Sequence, residues 1–160
     1  MVLTATGDLV SGEVITGSRR SATLNDALDV LRIIMSARIL IVEDHEHLRN
    51  ILALVLMNFG YQPILAENGA QAIEQVISTH PDLVLLDLNL PDMTGLHVAH
   101  AILTNPISAQ IPIVGCSAYS AREVKAKALR AGMVAYLQKP LRASEIHATI
   151  ERFICHGNNK

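Results

Sequence analysis

A chain of 160 residues fits one modest globular domain, since domains run to about 100–200 residues. Half of the residues are apolar and only 3% are aromatic, so the core is built from Val, Ile, Leu and Ala, and wholesale disorder is excluded. Thirteen Lys plus Arg against fifteen Asp plus Glu leave a formal charge of −2, too balanced for bulk attraction to nucleic acid or an anionic membrane.

Residues 1–36 form a leader that stands apart from the rest. It is rich in Gly, Ser and Thr up to Thr23, and then Leu24, Ala27, Leu28, Leu31, Ile34 and Met35 fall at helical spacing. Residues 24–35 are therefore either an extra docking or dimerisation helix or part of a leader before a natural start at Met35.

From Arg38 the chain alternates short apolar runs with helical stripes, the signature of βα units. Arg38–Val42 is a β-branched run too short for a helix, which predicts a strand buried on both faces. Leu48, Ile51, Leu52, Val55, Leu56 and Phe59 mark the first helix, stopped at Gly60. Pro63–Ala66 is the second strand, Glu67–Gly69 a turn, and Ile73, Val76 and Ile77 a helix ending before Pro81. Leu83–Leu86 is the third strand, and Leu96, Ala99, Ile102 and Leu103 the third helix. Ile111–Cys116 predicts strand four, Ala121, Val124, Ala128 and Ala131 helix four, Val134–Leu137 strand five, and Ile146, Ile150, Phe153 and Ile154 the last helix. Such runs require parallel pairing, right-handed crossovers and helices on both faces of the sheet.

Cys116 and Cys155 are too few for a disulfide framework and lack zinc spacing. No apolar run approaches the ~20 residues that cross a bilayer, and Asp8 interrupts the stretch where a signal peptide is apolar. A soluble, cytoplasmic protein without membrane contact is expected.

Ligands of open parallel sheets bind beyond the carboxyl ends of the strands. There the sequence delivers Glu43 and Asp44 after strand one, Asp87 after strand three, Ser117 after strand four and Lys139–Pro140 after strand five. Three crowded carboxylates repel one another, and a hard divalent cation such as Mg2+ relieves this with one or two carboxylates, waters and a phosphoryl oxygen. A carboxylate nucleophile at Asp87, with Lys139 and Ser117 for phosphoryl oxygens, points to phosphoryl transfer onto a carboxylate. Each residue alone could merely end a strand, but coincidence at four strand ends is much less plausible.

Over Ala37–Ile154 the sequence resembles the receiver domain of two-component response regulators. The resemblance is carried by Ile39–Asp44, by Leu83–Gly95 (LVLLDLNLPDMTG), by Ile113–Ala118 (IVGCSA) and by Ala135–Pro140 (AYLQKP), in order and correctly spaced. It implies an α/β, flavodoxin-like doubly wound five-stranded parallel sheet of order 2-1-3-4-5, with the receiver domain over residues 37–156. It further implies that Asp87 accepts a phosphoryl group from a histidine kinase or phosphotransfer protein. Mg2+ would be held by Asp44, Asp87 and the Asn89 carbonyl, with Glu43 acting through water. Lys139 would contact the phosphoryl group, and Ser117 and Tyr136 would form the switch pair. Small Ala118 would leave the pocket open, Asn89 and Tyr119 would tune phosphoryl lifetime, and a cis bond is expected before Pro140. The output would be a changed face on helix four, strand five and helix five, offered to a downstream protein or a second copy. Arg122, Lys125, Lys127, Arg130 and Arg142 charge this face, either to meet an acidic partner or simply as a solvated surface. No recognition helix follows, so direct nucleic-acid binding is not expected.

His45 and His47 flank the acidic residues, but i, i+2 spacing on a helix turns them apart, so no histidine metal site is expected. His97 and His100 share a helix face without a carboxylate partner and are expected to be exposed. Cys116 reads as a small buried apolar residue. Two other functions compete. A Mg2+-dependent aspartyl-phosphate phosphatase would place its acidic pair after the lysine and a second Asp two residues beyond the nucleophile, whereas here the pair comes first and Asn89 holds that place. An inert receiver-fold interaction module would lack the acidic pair, the acceptor or the lysine, and none is missing.

Overall fold

A computed structural model of the chain describes residues 28, 37–119 and 122–154. Its strands are β1 (Arg38–Val42), β2 (Gln62–Ala66), β3 (Leu83–Asp87), β4 (Ile113–Ser117) and β5 (Ala135–Gln138). They alternate with α1 (Glu46–Asn58), α2 (Gly69–Thr79), α3 (Gly95–Thr104), α4 (Arg122–Arg130) and α5 (Ala143–Ile154). The sheet is parallel throughout, in the order β2-β1-β3-β4-β5. Ile39, Leu40, Ile41 and Val42 are all buried, which is why β1 reads as an unbroken apolar run: each residue has a helix layer above or below it. Ile39 and Ile41 pack with α1 and α5, while Leu40 and Val42 pack with α2, α3 and α4.

Local signals set the boundaries. Gly60 and Gly132 take positive φ of 86° and 94°, the left-handed turn that ends α1 and α4 and sends the chain into the next strand. Asn68 caps α2 by accepting from the Gln71 N–H at 2.9 Å, and Thr94 caps α3. Strand four begins at Ile113 rather than Ile111, because the Ile111 N–H is spent on the Ser108 carbonyl in the preceding turn and Pro112 has no donor for a ladder. Strand five is displaced one residue, from 134–137 to Ala135–Gln138. On α1, Ile51 leaves the expected packed face and is 55% exposed. It stands about 100° round the helix from Leu52 and about 140° from Leu56, which carry the contact instead.

Leu28 is helical and exposed. The remainder of the leader, its expected helix over 24–35, Ala121, Cys155 and the end of the domain at 155–156 lie outside the described residues.

Candidate functional site

The sheet order reverses between β1 and β3, whose crossovers leave in opposite directions and open a crevice at their carboxyl ends. Glu43 and Asp44 follow β1 and Asp87 ends β3 on the two sides of this crevice. Ser117 ends β4, and Lys139 follows β5 just before a cis peptide to Pro140. The Lys139 N–H donates to the Ser117 carbonyl at 2.9 Å, extending the β4–β5 ladder to the lysine and aiming its side chain inward.

Lys139 Nζ lies 2.5 Å from Asp87 Oδ2 and 2.6 Å from Glu43 Oε2. Both carboxylates are buried, Glu43 2% and Asp87 5% exposed. Burial alone would pull the Lys139 ammonium down, but its hydrogen bonds to Asp87 and Glu43 and their charges prevail and hold its pKa above the ordinary 10.5. The second Asp87 oxygen, Oδ1, accepts from the Asn89 N–H at 2.9 Å, so the carboxylate is fixed at both ends. Cys116, alongside in β4, is fully buried and its thiol is pushed up to about 12 by desolvation. It is an inert packing group.

The loop after β1 is held from behind. Arg49 Nη1 donates to the carbonyls of Glu43 at 2.7 Å and Asp44 at 3.3 Å. Arg49 did not figure among the residues expected from sequence. Its one signal is a cation in the first turn of a helix, where the macrodipole disfavours positive charge unless carbonyls outside the helix take it up. His45 is the N-cap of α1, with extended φ −74° and ψ 108°. Since it precedes the helix, the i, i+2 argument does not govern it. Its imidazole turns back to Asp44 Oδ1 at 3.0 Å and Glu43 Oε1 at 3.3 Å while staying largely exposed, a contact with the carboxylates that the sequence spacing did not indicate.

The loop after β3 is tied to α2. Asp92 accepts from the Gly69 and Ala70 N–H groups, each at 2.9 Å, and the Gly69 bond chiefly lowers its pKa below the usual carboxylate range. Met93 fills the space left by the missing Gly69 side chain.

An open cleft of about 450 Å3 is lined by Asp44, His45, His47, Asp87, Asn89, Ala118 and Lys139, among others. Glu43 sits beneath Lys139. Ser117 and Tyr136 stand back from the cleft: the Ser117 hydroxyl accepts from the Tyr119 N–H at 3.2 Å, and the Tyr136 hydroxyl donates to the Tyr119 carbonyl. His97 and His100 are exposed on α3, outside the site. The cations Arg122, Lys125, Lys127, Arg130 and Arg142 are exposed, and Lys125 lines a groove of about 460 Å3 between α4 and α5 with Leu129, Tyr136 and Phe153.

Three carboxylates face one ammonium in this crevice. The surplus negative charge and the hard oxygen donors suit a Mg2+ ion that keeps several waters. Among the described residues no helix is long and apolar enough to cross a membrane.

The chain is also similar to known proteins. The family model described as the response regulator receiver domain matches residues 39–151. The chain is 34% identical over 119 residues to the chemotaxis protein CheY of Bacillus subtilis, covering 74% of this chain and 98% of that protein. It is 36% identical over 121 residues to the transcriptional regulatory protein ZraR of Escherichia coli, covering 76% of this chain but only 27% of ZraR. Among solved structures, the receiver domain of the sensor histidine kinase PA1611 of Pseudomonas aeruginosa is similar with a TM-score of 0.70 and 28% identity, over 75% of this chain and 98% of that one. That domain carries a magnesium ion coordinated in its active site cleft.

Proposed function

The chain belongs to the response regulator receiver family of two-component systems, and on that premise we propose that Asp87 is its phosphoacceptor. Mg2+, when bound, would be held by Asp44, Asp87 and the Asn89 carbonyl, with Glu43 acting through water. The observation that carries this reading is the two-ended grip on Asp87, by Lys139 on Oδ2 and the Asn89 N–H on Oδ1. Such a carboxylate cannot rotate away from an incoming phosphorus.

A carboxylate oxygen of Asp87 attacks the phosphohistidine of a histidine kinase or phosphotransfer protein. The O–P bond forms as the P–N bond breaks, and the imidazole leaves. When bound, Mg2+ neutralises charge on the phosphoryl oxygens. Lys139 is already in the cleft and transfers one of its three donors from carboxylate to phosphoryl oxygen, while Ala118 leaves the approach open. In this role the protein is a signalling phosphoacceptor that catalyses only its own phosphoryl transfer and hydrolysis, with residues 37–156 as the working unit, in the cytoplasm.

The readout runs through Tyr119. The Ser117 hydroxyl is bonded to its N–H and the Tyr136 hydroxyl to its carbonyl, so drawing Ser117 toward a phosphoryl group disturbs the anchor of Tyr136. Tyr136 lines the groove between α4 and α5, which makes this face the surface offered to a downstream protein or a second copy.

Intact-mass measurement after incubation with acetyl phosphate tests the reading. One phosphoryl group should add to the wild-type chain with Mg2+, and none without Mg2+ or in Asp87→Asn. A folded, Mg2+-binding protein that gains no adduct would instead be an inert interaction module.

A further inference from the structure

We propose that Arg49 is a positioning residue for phosphoryl acceptance: by gripping the main chain of Glu43 and Asp44 it fixes the one carboxylate of the crevice that has no buried partner of its own. This rests on the reading of the cleft as a Mg2+ site and adds to it a residue that touches neither the ion nor the phosphoryl group.

The three carboxylates are not held alike. Asp87 is bonded at both oxygens, by Lys139 and by the Asn89 N–H. Glu43 is also bonded at both, Oε2 by Lys139 and Oε1 by the His45 N–H at 3.3 Å, and both residues are buried. Asp44 is different. Its side chain is 32% exposed, and its partner is the His45 imidazole, itself 78% exposed. An exposed pair of this kind holds little against water, so the main chain decides where the Asp44 carboxylate sits.

Arg49 takes up that main chain. Its Nη1 donates to the Glu43 and Asp44 carbonyls, and its own backbone N–H donates to the His45 carbonyl at 2.9 Å. Three consecutive carbonyls thus end on one residue, while the Glu43 N–H ties the same segment to the Ala66 carbonyl of β2 at 3.1 Å. Among the described residues Arg49 forms no ion pair with a carboxylate. A cation in the first turn opposes the α1 dipole, so its charge serves the loop rather than the helix.

Mg2+ demands near-octahedral geometry, and a ligand ordered before the ion arrives lowers the cost of binding. Arg49 therefore acts on Mg2+ affinity and leaves the grip on Asp87, in which it has no part, unchanged. The sign separates this role from that of charge alone. A fixed cation near a metal site repels the metal, so removing one tightens Mg2+ binding if charge is all that Arg49 contributes, and weakens it if Arg49 positions Asp44.

Calorimetric Mg2+ titration, acetyl phosphate kinetics over a range of Mg2+ and amide hydrogen exchange without metal test this on the full chain, in the wild type, Arg49→Met and Arg49→Lys. Arg49→Met should weaken Mg2+ binding about tenfold, and saturating Mg2+ should return its phosphorylation rate to within about twofold of wild type. Without metal, exchange at residues 44–46 should quicken about tenfold and that of β3 should not. Arg49→Lys, whose ammonium also donates to carbonyls, should recover most of the lost affinity. Mg2+ affinity unchanged or tighter in Arg49→Met, or a rate that stays low at saturating Mg2+, overturns the proposal. So does exchange that quickens in β3 as much as in the loop, the mark of a merely structural role. A wild type that neither binds Mg2+ nor gains an adduct would sink the Mg2+ reading and this proposal with it, whereas a wild type that does both beside an Arg49→Met that does so equally well sinks the proposal alone.

Discussion

At the amino end of the sheet, Asp82 is exposed. It accepts from the Arg38 N–H at 2.7 Å, while its own N–H returns to the Arg38 carbonyl at 2.8 Å and the Arg38 guanidinium caps the His80 carbonyl at 2.6 Å. At the carboxyl end, Glu43 and Asp87 are buried and share one ammonium, with Asp44 beside them. The same residue types are thus satisfied locally at one end and left one cation short at the other. An exposed carboxylate bonded to backbone stitches strands together at little cost. Buried carboxylates outnumbering their counter-charge are expensive to hold, and that expense is what makes the carboxyl end receptive to a metal and a phosphoryl donor.

Breaking the shared cation should have the largest effect. Lys139→Met leaves Glu43 and Asp87 buried and mutually repelling, and should cost about 3 kcal/mol of unfolding free energy in denaturant titration without metal. Saturating Mg2+ should then raise the variant's Tm by more than the wild type's. The sign in pH follows from the raised pKa of Lys139: its stabilisation is complete below its ordinary 10.5 and fades as pH climbs through the higher folded value.

Gly95→Ala sharpens the comparison from the backbone side. A Cβ there would lie 2.5 Å from the Asp87 carbonyl oxygen and 2.6 Å from Leu88 Cα. Both are main-chain atoms that cannot swing aside, so a loss of about 1–3 kcal/mol is expected. Because the strain falls on the residue carrying the acceptor, Mg2+-dependent phosphorylation should slow as well, which acetyl phosphate kinetics would show.

The smallest effect belongs to Asp92. Its carboxylate, lowered chiefly by the Gly69 N–H, stabilises the fold above the unfolded carboxylate range, and that contribution disappears as pH falls through the folded value. Asp92→Ala should therefore lower Tm at neutral pH, and the gap from wild type should close as pH falls below 4. A gap independent of pH would show that the two backbone bonds contribute nothing through charge.

Much of this was legible in the sequence, because buried parallel strands must be apolar on both faces and polar residues at their carboxyl ends have few structural reasons to be there. β1, β3 and the positions of Glu43, Asp44, Asp87, Ser117 and Lys139 follow from that alone. What escaped depends on where an element begins. His45 was placed on a helical wheel that starts one residue later, at Glu46, so its turn toward Asp44 was missed. Arg49 is an ordinary helical arginine until the preceding loop curls under it. Phe59, Tyr61 and His147 come together at the α1–α5 seam, the rings of Phe59 and His147 stacked at 4.1 Å and Tyr61 Oη 2.9 Å from His147 Nδ1. No pattern over a single element reveals a contact spanning 86 residues.

The contrast between the two ends of the sheet is tested most directly by calorimetric Mg2+ titration of Asp44→Asn and Asp82→Asn beside the wild type. Asp44→Asn should weaken Mg2+ binding at least tenfold, because it removes one of the charges in excess, and Asp82→Asn should leave the affinity unchanged. Equal losses in both variants, or none in Asp44→Asn, would contradict the account, since Mg2+ would then be answering the charge of the whole protein rather than the crowded carboxyl end.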